Sequence, residues 1–415
     1  MILLLQTSAQ SQQIFEQVPF GTMSSMASCI AINSQDHIFL GTFYSEGIYR
    51  STNNGQDWTK VKPHANVTDV WSIAFHPSGC IIVGQNGSNN DAKGVFVSTD
   101  NGDTYVKMST GLAAGAVKAV AVGINGYVYA SVGKEVYCST DTCKSWVIKS
   151  TGLTGSVSVD QIACAPNGHL FLYKSKYIFR STDNGNYWTE MTQGWVEDSI
   201  WDMLISKKGH IFFATNQNYI YQSVDDGDSW GRVHNGLSVY NGKVTTLGED
   251  MQGNLYAGSQ GADLVANLHR STDDGGHWSL LGTAQCANVL AYVTFDSEGT
   301  CYACCGGWLF RTEEGMLAVD GQLITETPEH YSLGQNYPNP FNSSTVITYS
   351  IPDGCWVQLK VFNILGEVIA TLVDEGKDGG VYSIRYSTTD VPSGVYFYRL
   401  EAGLFSNTKK LLLVR

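Results

Sequence analysis

A chain of 415 residues with 44 Gly, 22 Tyr and 10 Trp but only 15% charged residues has material for two or more domains and suits short aromatic strands joined by tight turns rather than long amphipathic helices. Its net charge of −13 argues against nucleic acid or an anionic membrane surface as a partner, because either needs a basic footprint. Residues 332–415 hold seven Lys plus Arg against seven Asp plus Glu, so the whole acidic excess lies before them.

At the N-terminus, a short apolar run, Ile2 to Leu5, is followed by Thr7-Ser8-Ala9, which is similar to a signal-peptidase site. Residues 1–13 therefore read as part of a signal peptide. No other segment reaches the length of a membrane span.

From residue 14 onwards one pattern recurs. Ser-x-Asp-x-Gly-x-x-Trp starts at Ser51, Ser98, Ser139, Ser181, Ser223 and Ser271, with Asn53 for the Asp in the first copy, Tyr105 for the Trp in the second and Cys143 for the Gly in the third; a decayed copy follows at Arg311–Gly315. A period in the forties marks a repeat architecture of four-stranded propeller blades. Each box reads as turn chemistry, in which Ser and Asp accept backbone N–H bonds, Gly supplies a positive φ and the aromatic packs between units. The structural acids are Asp100, Asp141, Asp183, Asp225 and Asp273.

A second turn recurs between the first two strands of a repeat, at His76–Gly79, Ile124–Gly126, Pro166–Gly168, Lys207–Gly209, Met251–Gly253 and Ser297–Gly299. In the fourth repeat the strands are expected at Gln161–Ala165, His169–Tyr173, Tyr177–Arg180 and Trp188–Met191. The last repeat lacks its fourth strand, whereas Ile14–Val18 lines up with Asp57–Val61 and has no first three strands before it. The N-terminal strand is therefore expected to complete the seventh blade and remove an open edge. The fold expected over 14–316 is an all-β, seven-bladed β-propeller. It resembles the Asp-box, or bacterial neuraminidase repeat, family, in which the box is a structural turn away from the ligand face.

The cysteines give no metal pattern. Cys301, Cys304 and Cys305 fall in one predicted strand without a matching Cys or His pair elsewhere, so no metal and no cofactor is expected. Cys138 and Cys143 flank the third box and could close a hairpin disulfide after export.

Residues 317–331 read as a polar linker. Beyond it, period-2 alternation at Val357/Leu359/Val361 and Tyr396/Tyr398/Leu400 predicts a small immunoglobulin-like β-sandwich over 332–415. Asn336-Tyr337-Pro338-Asn339-Pro340-Phe341, Asn363-Ile364-Leu365-Gly366, Pro392-Ser393-Gly394-Val395-Tyr396 and Lys409-Lys410 closely resemble the type A C-terminal sorting domain of the type IX secretion system. That resemblance implies the secretion machinery as a partner, carriage across the outer membrane of a Gram-negative bacterium, and release or anchoring at the surface.

With the box in the 3–4 turn, the 2–3 and 4–1 connections form the opposite face, where function is expected. Its insertions are Gln85–Gly94 and Ser259–Asn267. Trp71 and Trp201 share one repeat position, at the start of the inner strand, and Asp160 takes it in the fourth blade; Asp69, Trp195, Glu197, Asp198 and Tyr44 come nearby. Aromatics and carboxylates on one rim suit a carbohydrate, the rings stacking on sugar and the acids accepting hydroxyls. The same aromatics could simply pack between inner strands.

A sialidase of the resembled family would need three arginines clamping a carboxylate and a Phe/Tyr-Arg-Ile-Pro motif. That motif is absent, Arg50, Arg180 and Arg270 precede box serines, Arg311 sits in the decayed box, and Arg232 follows one. No catalytic residue is assigned. Two readings remain: a binding module for a glycan or protein ligand, or a glycoside hydrolase or lyase using acids such as Glu197/Asp198 or Glu249/Asp250.

Overall fold

The computed structural model describes residues 15–414 apart from 19–25, 45, 192–198, 218, 238–242, 261–264, 286–289, 306–307, 313–330, 335, 337–338, 340, 342–343, 378–379, 389–390 and 404. The chain divides into two compact units, Met1–Glu313 and Glu314–Arg415.

In the first unit the described strands form seven four-stranded antiparallel sheets. Sheets 1 to 6 span 27–61, 67–107, 117–148, 161–190, 200–232 and 244–285. Sheet 7 is Leu290–Phe295, Cys301–Cys305 and Trp308–Thr312, with Phe15–Val18 as its fourth strand, paired from Phe15↔Thr312 to Val18↔Leu309. Phe15 and Val18 are buried while Glu16 turns outward to pair with Arg311.

Second strands such as Ile38–Thr42, Leu170–Lys174 and Ile211–Thr215 are buried along their whole length. That burial explains continuous apolar runs in place of alternation, since a strand covered on both faces has no solvent side. The outer strands Val106–Lys107, Val147–Ile148, Thr189–Glu190 and Gly231–Arg232 are two residues long and exposed, which leaves little edge for unwanted pairing. The first strand of each sheet packs on the first strand of the next, and Leu290–Phe295 packs on Ala27–Ile32.

Each box closes a 3–4 turn by the same bonds. In sheet 4, Ser181 Oγ donates to Asp183 Oδ1 at 2.8 Å and accepts from Gly185 N at 2.9 Å, and Asp183 Oδ1 accepts from Tyr187 N at 2.9 Å. Asn184 and Gly185 take φ of 58° and 82°, so a glycine is favoured where the turn closes. Asn53 makes the same bonds in sheet 1 through its amide oxygen. Three box tryptophans reach back to the preceding sheet, Trp146 Nε1 donating to Met108 O at 2.9 Å, Trp188 to Lys149 O at 2.8 Å and Trp278 to Val233 O at 2.6 Å, whereas Trp58 donates to Gly55 O of its own box at 2.9 Å.

Boxes also receive contacts from the sheet before them. Arg180 donates to Asp226 O at 2.6 Å and pairs with Asp228 at 2.8 Å; Arg50 reaches Asn101 O at 2.5 Å, Gln222 reaches Asp274 O at 3.1 Å, and Arg311 of sheet 7 reaches Asn54 O of sheet 1 at 2.7 Å. Arg50 and Arg180, each just before a box serine, and Arg311 of the decayed box are thus inter-sheet clasps.

Two expectations are corrected. The Ser259–Asn267 insertion is largely a lengthened hairpin, its strands pairing as far as Gln260↔Ala266. Cys138 and Cys143 are both free thiols, because they face opposite ways: Cys138 belongs to the core with Leu170 and Phe179 of sheet 4, Cys143 to the core with Ile82 and Val95 of sheet 2.

The second unit has two antiparallel sheets. One is Ser332–Leu333, Ser344–Ile351 and Gly380–Ser387; the other orders Val368–Lys377, Cys355–Phe362, Gly394–Ala402 and Phe405–Leu413. Both contribute to one core around Tyr349, Leu359 and Tyr398. Tyr331, read as the end of the linker, instead stacks on Phe405 with ring centroids 5.3 Å apart. Asn336 is buried, its N donating to Tyr398 Oη at 2.8 Å, and Asn339 Oδ1 accepts from Leu412 N at 2.8 Å. Asn336, Asn339 and Phe341 are therefore pinned to the closing strands.

Candidate functional site

The inner strands carry a recurrent register shift near their first residues, between Ala27/Cys29, Val70/Ser72, Val117/Val120, Ile200/Asp202, Val244/Thr246 and Leu290/Tyr292. A bulge re-aims the extra side chain. Trp71 and Trp201 are such bulge residues, at the end of the sheets opposite the boxes. Trp201 is 46% exposed, and Lys243 Nζ stands 4.9 Å from its ring centroid. Trp71 is half-buried.

In sheet 4 the equivalent residue, Asp160, is engaged. Its Oδ2 accepts from Ser175 N at 2.8 Å, its N donates to Tyr173 O at 3.0 Å, and its carboxylate pairs with Lys118. Lys118 holds the matching position in sheet 3. Tyr173 links this corner to the next sheet, its Oη donating to Trp201 O at 3.0 Å. In the opening sheets, Tyr44 N donates to Asp69 Oδ1 at 3.3 Å, and Asn86 Nδ2 donates to Asp69 Oδ2 at 3.3 Å. Tyr44 is 68% exposed, with φ of 59°.

The structure therefore brings Tyr44 to Asp69, and Asp160 to Trp201 through Tyr173. Among the described residues no hydrogen bond, ion pair or ring contact joins Trp71 to Asp160 or Trp201. Trp195, Glu197 and Asp198 lie outside the described residues. Lys118 and Lys243 escaped the sequence reading; aligning the bulge position across repeats would have found Lys118, whereas Lys243 meets Trp201 only through the fold. Trp308, 53% exposed at the start of the third strand of sheet 7, adds another aromatic at this end.

One turn deeper, Gln161 and Met203 exchange two hydrogen bonds, Nε2 to O at 3.0 Å and N to Oε1 at 3.1 Å. Asp202 accepts from Met203 N and from Leu247 N of sheet 6, both at 2.8 Å. Burial pushes the Asp202 carboxyl up to about 6 against the pull of these N–H bonds. With both oxygens held by backbone, Asp202 ties sheet 5 to sheet 6. Glu249 and Asp250 lie at the box end, where Asp250 accepts from Gln252 N, Asn254 N and Tyr256 Oη at 2.9 Å each; this acid pair braces a turn. A concavity of about 420 Å³, lined by Asp91, Lys93, Lys107 and Leu112, includes none of the expected site residues.

Residues 103–241 match the DUF6242 β-propeller domain, and residues 335–414 match the secretion system C-terminal sorting domain. The chain ends in a type IX sorting domain. No curated protein matches it. Among solved structures, the extracellular domain of a hybrid two-component system from B. thetaiotaomicron is similar at 12% identity and a TM-score of 0.59, over 82% of this chain and 45% of that one. Virginiamycin B lyase from Staphylococcus aureus gives 13% and 0.60 over 72% and 98%. PorZ, a bacterial surface component of the type IX secretion system of Porphyromonas gingivalis, gives 14% and 0.53 over 94% and 59%. This chain thus spans about half the length of the first of these relatives. At such identities the likeness shows the fold, a β-propeller. The sorting domain marks the chain as a secreted or cell-surface protein, and it implies the secretion machinery as a partner. No described helix is long and apolar enough to cross a membrane.

Proposed function

We propose that this chain is an exported binding module: a seven-bladed Asp-box propeller over 14–316, closed by its N-terminal strand, that recognises a glycan or protein ligand on the face opposite the boxes, with an immunoglobulin-like sorting domain from 332 to 415. The seven four-stranded sheets and the pairing of Phe15–Val18 with Leu309–Thr312 support the ring. The observation that carries the binding reading is Trp201, held exposed by a bulge with Lys243 over its ring. Exposed aromatics beside polar groups suit sugar stacking or an aromatic anchor on a protein.

A glycan array probed with the full chain, followed by a reducing-sugar assay on every glycan it binds, tests the proposal. Binding without turnover is expected, and Trp201→Ala should weaken it. Turnover of a bound glycan would favour the hydrolase or lyase instead, and intact binding by Trp201→Ala would move the site elsewhere.

A further inference from the structure

The Gln85–Gly94 insertion of sheet 2 builds one wall of the concavity of about 420 Å³, and the connection from sheet 2 to sheet 3, Ser109 to Gly115, builds the other. Both walls are fixed. Asn89 Oδ1 accepts from Ala92 N at 3.0 Å and Gln85 Nε2 donates to Ala92 O at 2.7 Å, so a 3-10 turn over Asn90–Ala92 closes with Ala92 buried. A Cβ on Gly87 would meet Ala92 Cβ at 2.2 Å, so the turn packs directly on the strand that leads into it. Across the concavity, Ser109 Oγ accepts from Val95 N at 3.0 Å and Thr110 O accepts from Trp146 N at 2.9 Å. A site with walls held in this way loses little freedom when a ligand enters.

The lining is chemically mixed. Lys107 Nζ donates to Asn90 O at 2.7 Å, which sets its ammonium against the wall made by the insertion. Asp91 and Lys93 belong to that wall. Among the described residues none of these three charged side chains has an ion pair, although Lys60, Lys118 and Lys134 of sheets 1 and 3 each pair with a carboxylate. Lys93 is half-buried, yet its ammonium has no hydrogen-bond partner among the described residues either. Two ammonium groups thus share one concavity in the part of the chain that holds the whole acidic excess. The facing wall is apolar and small, with Leu112 half-buried and Ala113 and Ala114 exposed.

We propose that this concavity holds an anionic sugar unit, a pyranose carrying a carboxylate or a sulfate ester. Lys93 and Lys107 take the anionic group by charge-assisted hydrogen bonds, the Asp91 and Asn90 side chains accept ring hydroxyls, and the wall from Leu112 to Ala114 covers the C–H face of the ring. A neutral sugar leaves both ammonium groups without a counter-charge. A purely anionic chain is repelled by Asp91, whereas a hydroxylated ring turns that carboxylate into a hydrogen-bond acceptor. The site shares no residue with the Trp201 rim, and it rests on the binding reading only in taking a glycan as the ligand.

Titration calorimetry of the full chain with short oligosaccharides of galacturonate, glucuronate, sulfated galactose and plain galactose tests this. Binding of at least one charged oligosaccharide and none of plain galactose is expected, and which one binds tells carboxylate from sulfate. Lys93→Met removes a charge-assisted contact and should weaken that binding at least about tenfold, and Lys93→Arg should restore part of it. Three outcomes would overturn the proposal: no binding by any charged oligosaccharide, equal binding of plain galactose, or binding that survives Lys93→Met and is lost in Trp201→Ala, which would assign the ligand to the rim. The comparison of charged with plain oligosaccharides decides on wild-type protein alone if a variant does not fold.

Discussion

At the residue scale, the box serines and acids are the positions at which chemistry is most strongly dictated. Ser181→Ala leaves the Gly185 N–H buried without its acceptor and should cost about 1–3 kcal/mol, read as a lowered urea midpoint at unchanged slope. The acids set the response to pH. The Thr104, Ser145 and Ser229 hydroxyls, then the N–H bonds of the same residues, hold Asp100, Asp141 and Asp225 down at about 2. Their folded values lie below the unfolded one, so their contribution is complete above about pH 4 and is lost as pH falls towards 2. Asp202 has the opposite sign: its value is raised to about 6, so the stability it adds is complete below about pH 4 and is lost as pH rises through 6. Melting temperature should therefore fall on both sides of a mildly acid maximum. Asp141→Asn, which keeps the acceptor that Asn53 supplies in sheet 1, should flatten the acid limb, and Asp202→Asn the neutral one. An unchanged profile in both variants would contradict these assignments. The boxes were legible in the sequence because their bonds span four residues or fewer. The Asp160–Lys118 and Trp201–Lys243 contacts were not, because each joins positions some forty residues apart that only sheet stacking brings together.

At the element scale, the sheets are held to one another by clasps from residues that the sequence places beside the box serines. Arg180 crosses from sheet 4 to the carbonyl and side chain of Asp226 and to Asp228. All three contacts are made by Nη1, whose N–H groups the guanidinium plane holds in fixed directions. Arg180→Ala should destabilise by about 1.5–3 kcal/mol, the range for hydrogen bonds to charged groups, and Arg180→Lys should recover only part of it; full recovery by Lys would reduce the clasp to charge alone. Strand positions were legible to within a residue or two from the apolar runs and the Gly turns. The hairpin that lengthens sheet 6 was misread because extra residues between two strands look the same in sequence whether they loop out or extend the ladder.

At the scale of the molecule, the N-terminal strand and the exposed rim carry the account. Deleting residues 1–18 uncovers the edge of Trp308–Thr312 and removes the buried Phe15 and Val18. The shortened chain should lose stability and self-associate on size exclusion, whereas a monomer of unchanged melting temperature would show that sheet 7 does not depend on this strand. The sorting domain was the part most legible in sequence, because its motifs occupy adjacent strands and turns. The ligand was not legible, since a binding face is assembled from loops of separate repeats. The most direct test compares the two faces in one experiment: binding of an array hit by Trp201→Ala, on the bulge, and by Tyr187→Ala, 56% exposed in the fourth box. Binding should weaken at least about tenfold in the first, near 1.4 kcal/mol, and hold in the second. Loss only in Tyr187→Ala would place recognition on the box face and contradict the account.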